Sequence, residues 1–169
     1  MSPTIVYTDG GCDLKDRGVG AYAYHAILPG GAIEEHVDGC WGTTNNRMEM
    51  RAVLVALQKL EIGQPLCIVS DSEYVIKGIT QWVHGWIEND WITSGGTPVK
   101  NRDIWEQLHA ITRLHDVQFQ HVMGHSGHVG NERVDALCTA KIKQLRVQRQ
   151  KGMPFEVDGS GSILPAYVA

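Results

Sequence analysis

The order in which β-favouring runs and helix-patterned segments follow one another constrains this chain more than any other feature. Thr4–Asp9 reads as a strand, because Ile5-Val6-Tyr7 is apolar and β-favouring and Asp9-Gly10-Gly11 breaks it. Val19–Leu28 and Ala32–Trp41 flank the turn Pro29-Gly30-Gly31 and read as an antiparallel pair. Thr43, Thr44 and Asn45 offer N-cap chemistry for a helix from about Asn46 to Leu60. Leu66–Ser70 is a short apolar strand, and Asp71-Ser72 caps a helix reaching about Gly78–Thr80. The Trp-rich stretch Gln81–Trp91 reads as helical. A further helix starts at Asn101 or Arg102, with Ile104, Leu108, Ile111 and Leu114 on one face. Val117–Val122 is a fifth strand, and Asn131–Leu145 a last helix with Val134, Leu137, Cys138 and Ile142 spaced for burial. This order predicts an α/β fold: a five-stranded mixed sheet, three strands antiparallel and the later ones parallel, flanked by helices on both faces.

At 169 residues the chain is the size of one domain. Residues 1–147 are expected to form it. Residues 148–169, with RQKG and DGSGS and no hydrophobic period, are expected to be a flexible C-terminal tail. The net charge of −4 argues against a protein that coats nucleic acid by bulk positive charge. The longest apolar run, Ala52–Leu57, is far short of the roughly 20 residues of a membrane span, and the N-terminal residues lack the basic and apolar regions of a secretory signal. Cys12, Cys40, Cys67 and Cys138 are scattered without a CxxC, which speaks against a disulfide scaffold or a Cys-rich zinc site. A reducing cytoplasm is the expected compartment.

Four acids occupy positions that packing alone explains poorly. Asp9 and Asp71 each close an apolar strand, so parallel neighbours would bring both carboxylates to the carboxyl edge of the sheet, where open α/β sheets place ligands. Either one alone is more simply explained as a turn former or helix cap. Glu49 shares a helix face with Ala52, Val53, Ala56 and Leu60, and a Glu on a buried stripe needs a partner or a metal; Arg47 or Arg51 could provide a salt bridge instead. Asp135 lies early in the last helix, beside Val134 on the inward side, after a loop carrying His125 and His128. Carboxylates without a thiolate favour a hard cation, Mg²⁺ or Mn²⁺, over zinc. Such a cluster can hold one or two ions, activating a water and steadying the leaving oxygen of a phosphoryl displacement.

Six ordered blocks carry a resemblance: YTDGG (Tyr7–Gly11), TTNNRMEM (Thr43–Met50), SDSEYV (Ser70–Val75), GITQWVHGW (Gly78–Trp86), PVKNRDIW (Pro98–Trp105) and GHSGHVGNERVD (Gly124–Asp135). In these the chain resembles type 1 ribonuclease H, the bacterial and phage form that cuts the RNA strand of RNA–DNA hybrids. The resemblance implies a ribonuclease H-like fold and Mg²⁺-dependent endonucleolytic hydrolysis, leaving 5′-phosphate and 3′-hydroxyl ends. It implies that Asp9, Glu49, Asp71 and Asp135 bind metal, and that His125, on a mobile loop, shuttles protons or helps product leave. An imidazole suits that role because its ordinary pKa of ~6.5 is near working pH. It further implies that Asn45 and Asn46 touch base edges and sugars in the minor groove, that Trp82 packs near the DNA strand, and that Thr44, Lys100 and Asn101 lie near phosphate or sugar. A monomer with an RNA–DNA hybrid as its partner, and no obligate protein partner, is the expectation.

Three departures bear on affinity. Cys12–Gly18 reads CDLKDRG where the family often has Asn-Pro-Gly; Glu73 stands where the family commonly has Gln; and the usually basic protrusion here carries Glu88 and Asp90 between Trp86 and Trp91. Weaker hybrid binding with a shallower salt dependence is expected. Trp86, Trp91 and Trp105 are expected to be packing residues. Two other readings use the same fold: a DNA-cleaving member of the superfamily and a module that grips hybrids without cutting. The Asn45-Asn46 pair and the NERVD block argue against the first, and the full set of acids against the second.

Overall fold

The computed structural model describes residues 2–16, 18–159 and 163–164, and it contains the expected sheet. The strands β1 (Thr4–Asp13), β2 (Val19–Ile27), β3 (Ile33–Cys40), β4 (Leu66–Ser70) and β5 (Val117–His121) lie in the order β3-β2-β1-β4-β5. The pairs β1–β2 and β2–β3 are antiparallel, while β1–β4 and β4–β5 are parallel. Helix α1 (Asn45–Lys59) is followed by α2 (Glu73–Lys77), a π-helical turn over Gly78–Trp82 and α3 (Val83–Glu88); α4 is Arg102–Thr112 and α5 is Val129–Gln150.

The two-residue period of the strands sorts the layers. Val6, Tyr24 and Ala26 enter a core with Met50, Val53 and Leu57 of α1 and with Ile104, Trp105 and Leu108 of α4. Ala21 and Ala23, one residue out of phase, meet Val134 and Cys138 of α5, with Tyr7 against them. Helices therefore cover both faces. Ala52, Val53, Ala56 and Leu60 are all buried, so the stripe that contains Glu49 does face inward.

Several boundaries differ from expectation. β1 continues past Asp9 to Asp13, because Gly10 and Gly11 keep pairing with Tyr22 and Ala21 instead of turning. Leu114 is exposed, since α4 has ended at Thr112. The helical stretch expected to reach Trp91 stops at Glu88; Asp90 and Trp91 take left-handed backbone conformations. Trp91 and Trp105 are buried and Trp86 packs against both, as packing residues should.

The expected tail is the largest correction. The proposed boundary at residue 147 falls inside α5, and the chain then returns to the body. Strand β6 (Phe155–Glu156) places Phe155 edge-on to Trp41, with the Arg149 guanidinium stacked over both rings. The Trp41 N–H donates to the Glu156 carbonyl at 2.8 Å, and the Asp158 N–H donates to the Trp41 carbonyl at 2.9 Å. The Asp158 carboxylate, with its side chain 1% exposed, accepts from Arg47 Nε at 2.7 Å, Arg51 Nη2 at 2.7 Å and Thr43 Oγ1 at 2.8 Å. A short strand, β7 (Ile163–Leu164), pairs with β6. The rest of the expected tail lies outside the described residues.

Burial pushes the Asp158 carboxyl up, but the hydrogen bonds from Arg47 and Thr43 and the charge of Arg51 more than offset this and hold it below its ordinary value. Its stabilising contribution is thus present above the unfolded pKa near 4 and is lost as pH falls through the lower folded value. Asp158→Ala strands the Arg51 guanidinium and leaves Arg47 to Asp103 alone, and in urea unfolding at pH 7 it should cost about 3 kcal/mol. A loss below about 1 kcal/mol would mean that the clasp does not hold the fold.

Candidate active site

Parallel pairing sets the first two carboxylates. Thr8 lies opposite Ser70 in the β1–β4 register, so Asp9 and Asp71 follow side by side at the carboxyl ends of the paired segments. Glu49 arrives from the other layer. A Cβ on Gly10 would lie 2.2 Å from the Met48 carbonyl carbon and 2.3 Å from the Glu49 nitrogen, so only glycine lets β1 approach α1 this closely. Thr44 starts that helix, its Oγ1 accepting from the Arg47 N–H at 3.3 Å.

One carboxylate oxygen from each of Asp9, Glu49 and Asp71 lies within 4.8 Å of the other two. Burial, then the charges of Asp71 and Asp135, push Asp9 up to about 7, although the Gly10 N–H donates to its Oδ1 at 2.9 Å. Burial, then the charges of Asp9 and Asp71, also raise Glu49 well above its ordinary value. Glu49 Oε2 is buried without a hydrogen-bond partner. Three oxygen donors, crowded like charges and one orphaned buried oxygen fit a hard divalent cation. Arg47 and Arg51, the alternative partners for Glu49, are instead turned to Asp158.

Asp135, the fourth expected acid, stands at the edge of this group. It is exposed in the first turns of α5, outside the tight group, and reaches it as a charge acting on Asp9. It shares with Asn45, Gly11 and Cys12 the wall of a groove beside the cluster. His125 is exposed on the loop between β5 and α5 with a left-handed backbone (φ 55°). Next to it, a Cβ on Gly124 would lie 3.0 Å from Asp71 Oδ2, so this loop passes directly over the cluster.

The expected substrate contacts divide into two groups. Asn45 Oδ1 accepts from the Cys12 N–H at 2.7 Å, which leaves its amide hydrogens as donors beside the groove. Asn46 and Lys100 are exposed, and Trp82 is 38% exposed, edge-on to Tyr74. Asn101 has a left-handed backbone, and its amide is engaged at both ends: Oδ1 accepts from Arg47 Nη1 at 3.3 Å and Nδ2 donates to the Tyr74 hydroxyl at 3.1 Å. Arg47, a candidate partner for Glu49 in the sequence, instead links this group to Asp103 and Asp158. Sequence reasoning missed His121, whose Nε2 lies 3.1 Å from the Asp71 carbonyl oxygen. A histidine at the end of a strand neighbouring Asp71 was the available signal.

Raised carboxyls set a testable sign. A lift of Asp9 from 3.8 to about 7 means that the folded state holds a proton the unfolded chain has released. Stability without divalent cations therefore falls as pH rises from about 4 through 7, by up to about 4 kcal/mol. Calorimetry in chelator should show Asp9→Asn melting several degrees above the unsubstituted chain at pH 8 and close to it at pH 4. Mg²⁺ should raise the melting temperature of the unsubstituted chain at pH 8. Equal melting temperatures at pH 8 would rule out a strained acidic cluster.

The RNase H family profile matches residues 1–143 of this chain. A ribonuclease H of Shewanella woodyi is 41% identical over 155 residues, covering 92% of this chain and 95% of its own. Among solved structures, a type 1 RNase H with the type 2 active-site motif is similar with a TM-score of 0.72 and 25% identity, covering 85% of this chain and 74% of the other. A foamy viral protease-reverse transcriptase in complex with an RNA/DNA hybrid shares the fold, with a TM-score of 0.74 at 22% identity over 85% of this chain and 21% of that one.

Proposed function

This chain belongs to the RNase H family, and we propose that it is an endonuclease that hydrolyses the RNA strand of RNA–DNA hybrids, leaving 5′-phosphate and 3′-hydroxyl ends. The observation that carries this reading is the convergence of Asp9, Glu49 and Asp71 at one sheet edge, with a buried Glu49 oxygen left unpaired. These three carboxylates would hold divalent metal, Mg²⁺ or Mn²⁺ in its place, with Asp135 contributing from the rim. The chemistry that a bound divalent cation supplies is activation of water and stabilisation of the leaving oxygen.

The chain's own residues do the rest. Asn45 and Asn46 present amides at the start of α1, able to read base edges and 2′-hydroxyls in a minor groove without the cost of a buried charge. Trp82 offers an exposed ring face toward the DNA strand, and Thr44, Lys100 and Asn101 lie toward phosphate and sugar. His125, on the loop crossing Asp71, is the side chain that would pass protons or help product leave. Specificity then follows from the shape of a hybrid, not its sequence. No helix among the described residues is long and apolar enough to cross a membrane. A monomer acting in the cytoplasm is the accompanying proposal.

Charge placement makes hybrid binding modest. Glu73 is neutralised by Lys77 at 2.5 Å, so it is less of an obstacle than its position suggests. The protrusion nevertheless brings Glu88 and Asp90 and lacks a basic cluster. The slope of log K against log salt should be shallower than in a relative with a basic protrusion; an equally steep slope refutes this.

Cleavage of labelled RNA–DNA hybrid, duplex DNA and duplex RNA, each with Mg²⁺, Mn²⁺ or chelator, tests the function. Cutting confined to the RNA of the hybrid and abolished by chelator is expected; cutting of duplex DNA instead would favour the DNA-cleaving reading. Asp9→Asn should lower the rate on the order of a thousandfold or more while retaining binding. His125→Ala should slow turnover roughly a hundredfold without abolishing it.

A further inference from the structure

Beyond the carboxylate cluster, the groove that begins at Asn45 and Asp135 continues along α5. Its first part has a volume of about 1050 Å³ and a floor of the small residues Ala136, Thr139 and Ala140. Lys15, from the 3-10 turn Leu14–Asp16, and Lys143 stand at its edges. A second depression of about 560 Å³ shares Ala140 and Lys143 with the first and runs on to Lys151. The residues 136, 139, 140, 143, 147 and 151 recur at helical spacing, and all are exposed. Lys15, Lys143 and Lys151 form no ion pair among the described residues; of the two acids that line the first part, Asp13 is held by Arg146 and Asp135 stands at the end nearest the carboxylate cluster. In a chain of net charge −4, three unpaired lysines therefore line a small-residue trough that leads away from the site.

We propose that this trough is an extended substrate track, in which Lys15 and Lys143 contact backbone phosphates of the hybrid beyond the point of cleavage, with Lys151 at its far end. The inference rests on the hybrid-cleaving reading given above. Three observations support a nucleic-acid strand as occupant: continuity with Asn45 and Asp135, positive charge against a polyanion, and length. From Asp135 to Lys151 the helix rises about 24 Å, which spans about seven nucleotides of one strand. The small side chains at positions 136, 139 and 140 let a backbone lie close to the helix, so that two lysines flank it. This placement would return part of the phosphate contact that the acidic protrusion lacks.

Substrate length is the discriminating measurement. A short hybrid confined to the catalytic cluster and a long one extending about ten base pairs beyond it on each side are compared, with cleavage and anisotropy binding followed in parallel. The double substitution Lys15→Ala/Lys143→Ala should raise KM for the long hybrid roughly tenfold and make its salt slope shallower by about 1.8, with a change under about twofold for the short one. Ala140→Trp fills the floor without altering charge and should give the same length-dependent loss. Circular dichroism confirms that these surface variants fold. No loss on the long hybrid, or an equal loss on both, overturns the track. Failure of the unsubstituted chain to cut even the short hybrid would instead overturn the function on which the track rests.

Discussion

The close approach of β1 to α1 at Gly10 is the contact on which the site depends. Strands and helices packed face to face normally stand apart by the length of their side chains. Here a backbone meets a backbone, and any Cβ at position 10 would collide with the Met48 carbonyl carbon and the Glu49 nitrogen. That contact places Glu49 against Asp9, while the parallel register places Asp71 against Asp9 from the other side. Packing of α1 through Met50, Val53 and Leu57 fixes the approach, so hydrophobic burial in one layer sustains electrostatic repulsion in the next.

Much of this was legible in the sequence because it is local. Strand-terminal acids and a Glu on an otherwise apolar helical stripe both leave signatures in the sequence, and these singled out Asp9, Asp71 and Glu49 as candidates. Asp135 was harder. Its helix begins at Val129, ahead of the expected Asn131, and Val134 beside it takes the buried position. A period argument sorts residues into inward and outward faces, but it does not say how far an outward carboxylate stands from a cluster on another element. Similarly, Gly10-Gly11 carried the signal of a turn, yet both stay in β1 and Gly10 is the place of contact.

The C-terminal segment was illegible for a different reason. Its attachment is made by an ion-pair network bridging more than a hundred residues, from Asp158 to Arg47, Arg51 and Thr43, and by the Arg149 guanidinium lying over two rings. Neither leaves a repeating pattern in composition, and a polar, glycine-bearing stretch reads as unstructured whenever its partners are remote. Arg47 was a candidate partner for Glu49 on proximity along the helix. In the fold it is occupied by Asp158 and Asp103, which leaves Glu49 unneutralised by protein cations.

This division of charge explains how a chain of net charge −4 can serve a polyanionic substrate. Arg47, Arg51, Lys77, Arg102 and Arg133 are consumed by carboxylates within the fold, so they offer little to phosphate. Asp9, Glu49 and Asp71, which have no cationic partner among the described residues, are gathered where a cation can neutralise them, and the groups set beside them, such as the Asn45 amide, are neutral donors. Recognition built in this way draws less of its affinity from counterion release and more from the fit of placed hydrogen bonds to a particular groove shape. Under the proposed function, such an arrangement would trade strength on nucleic acid in general for discrimination among its forms.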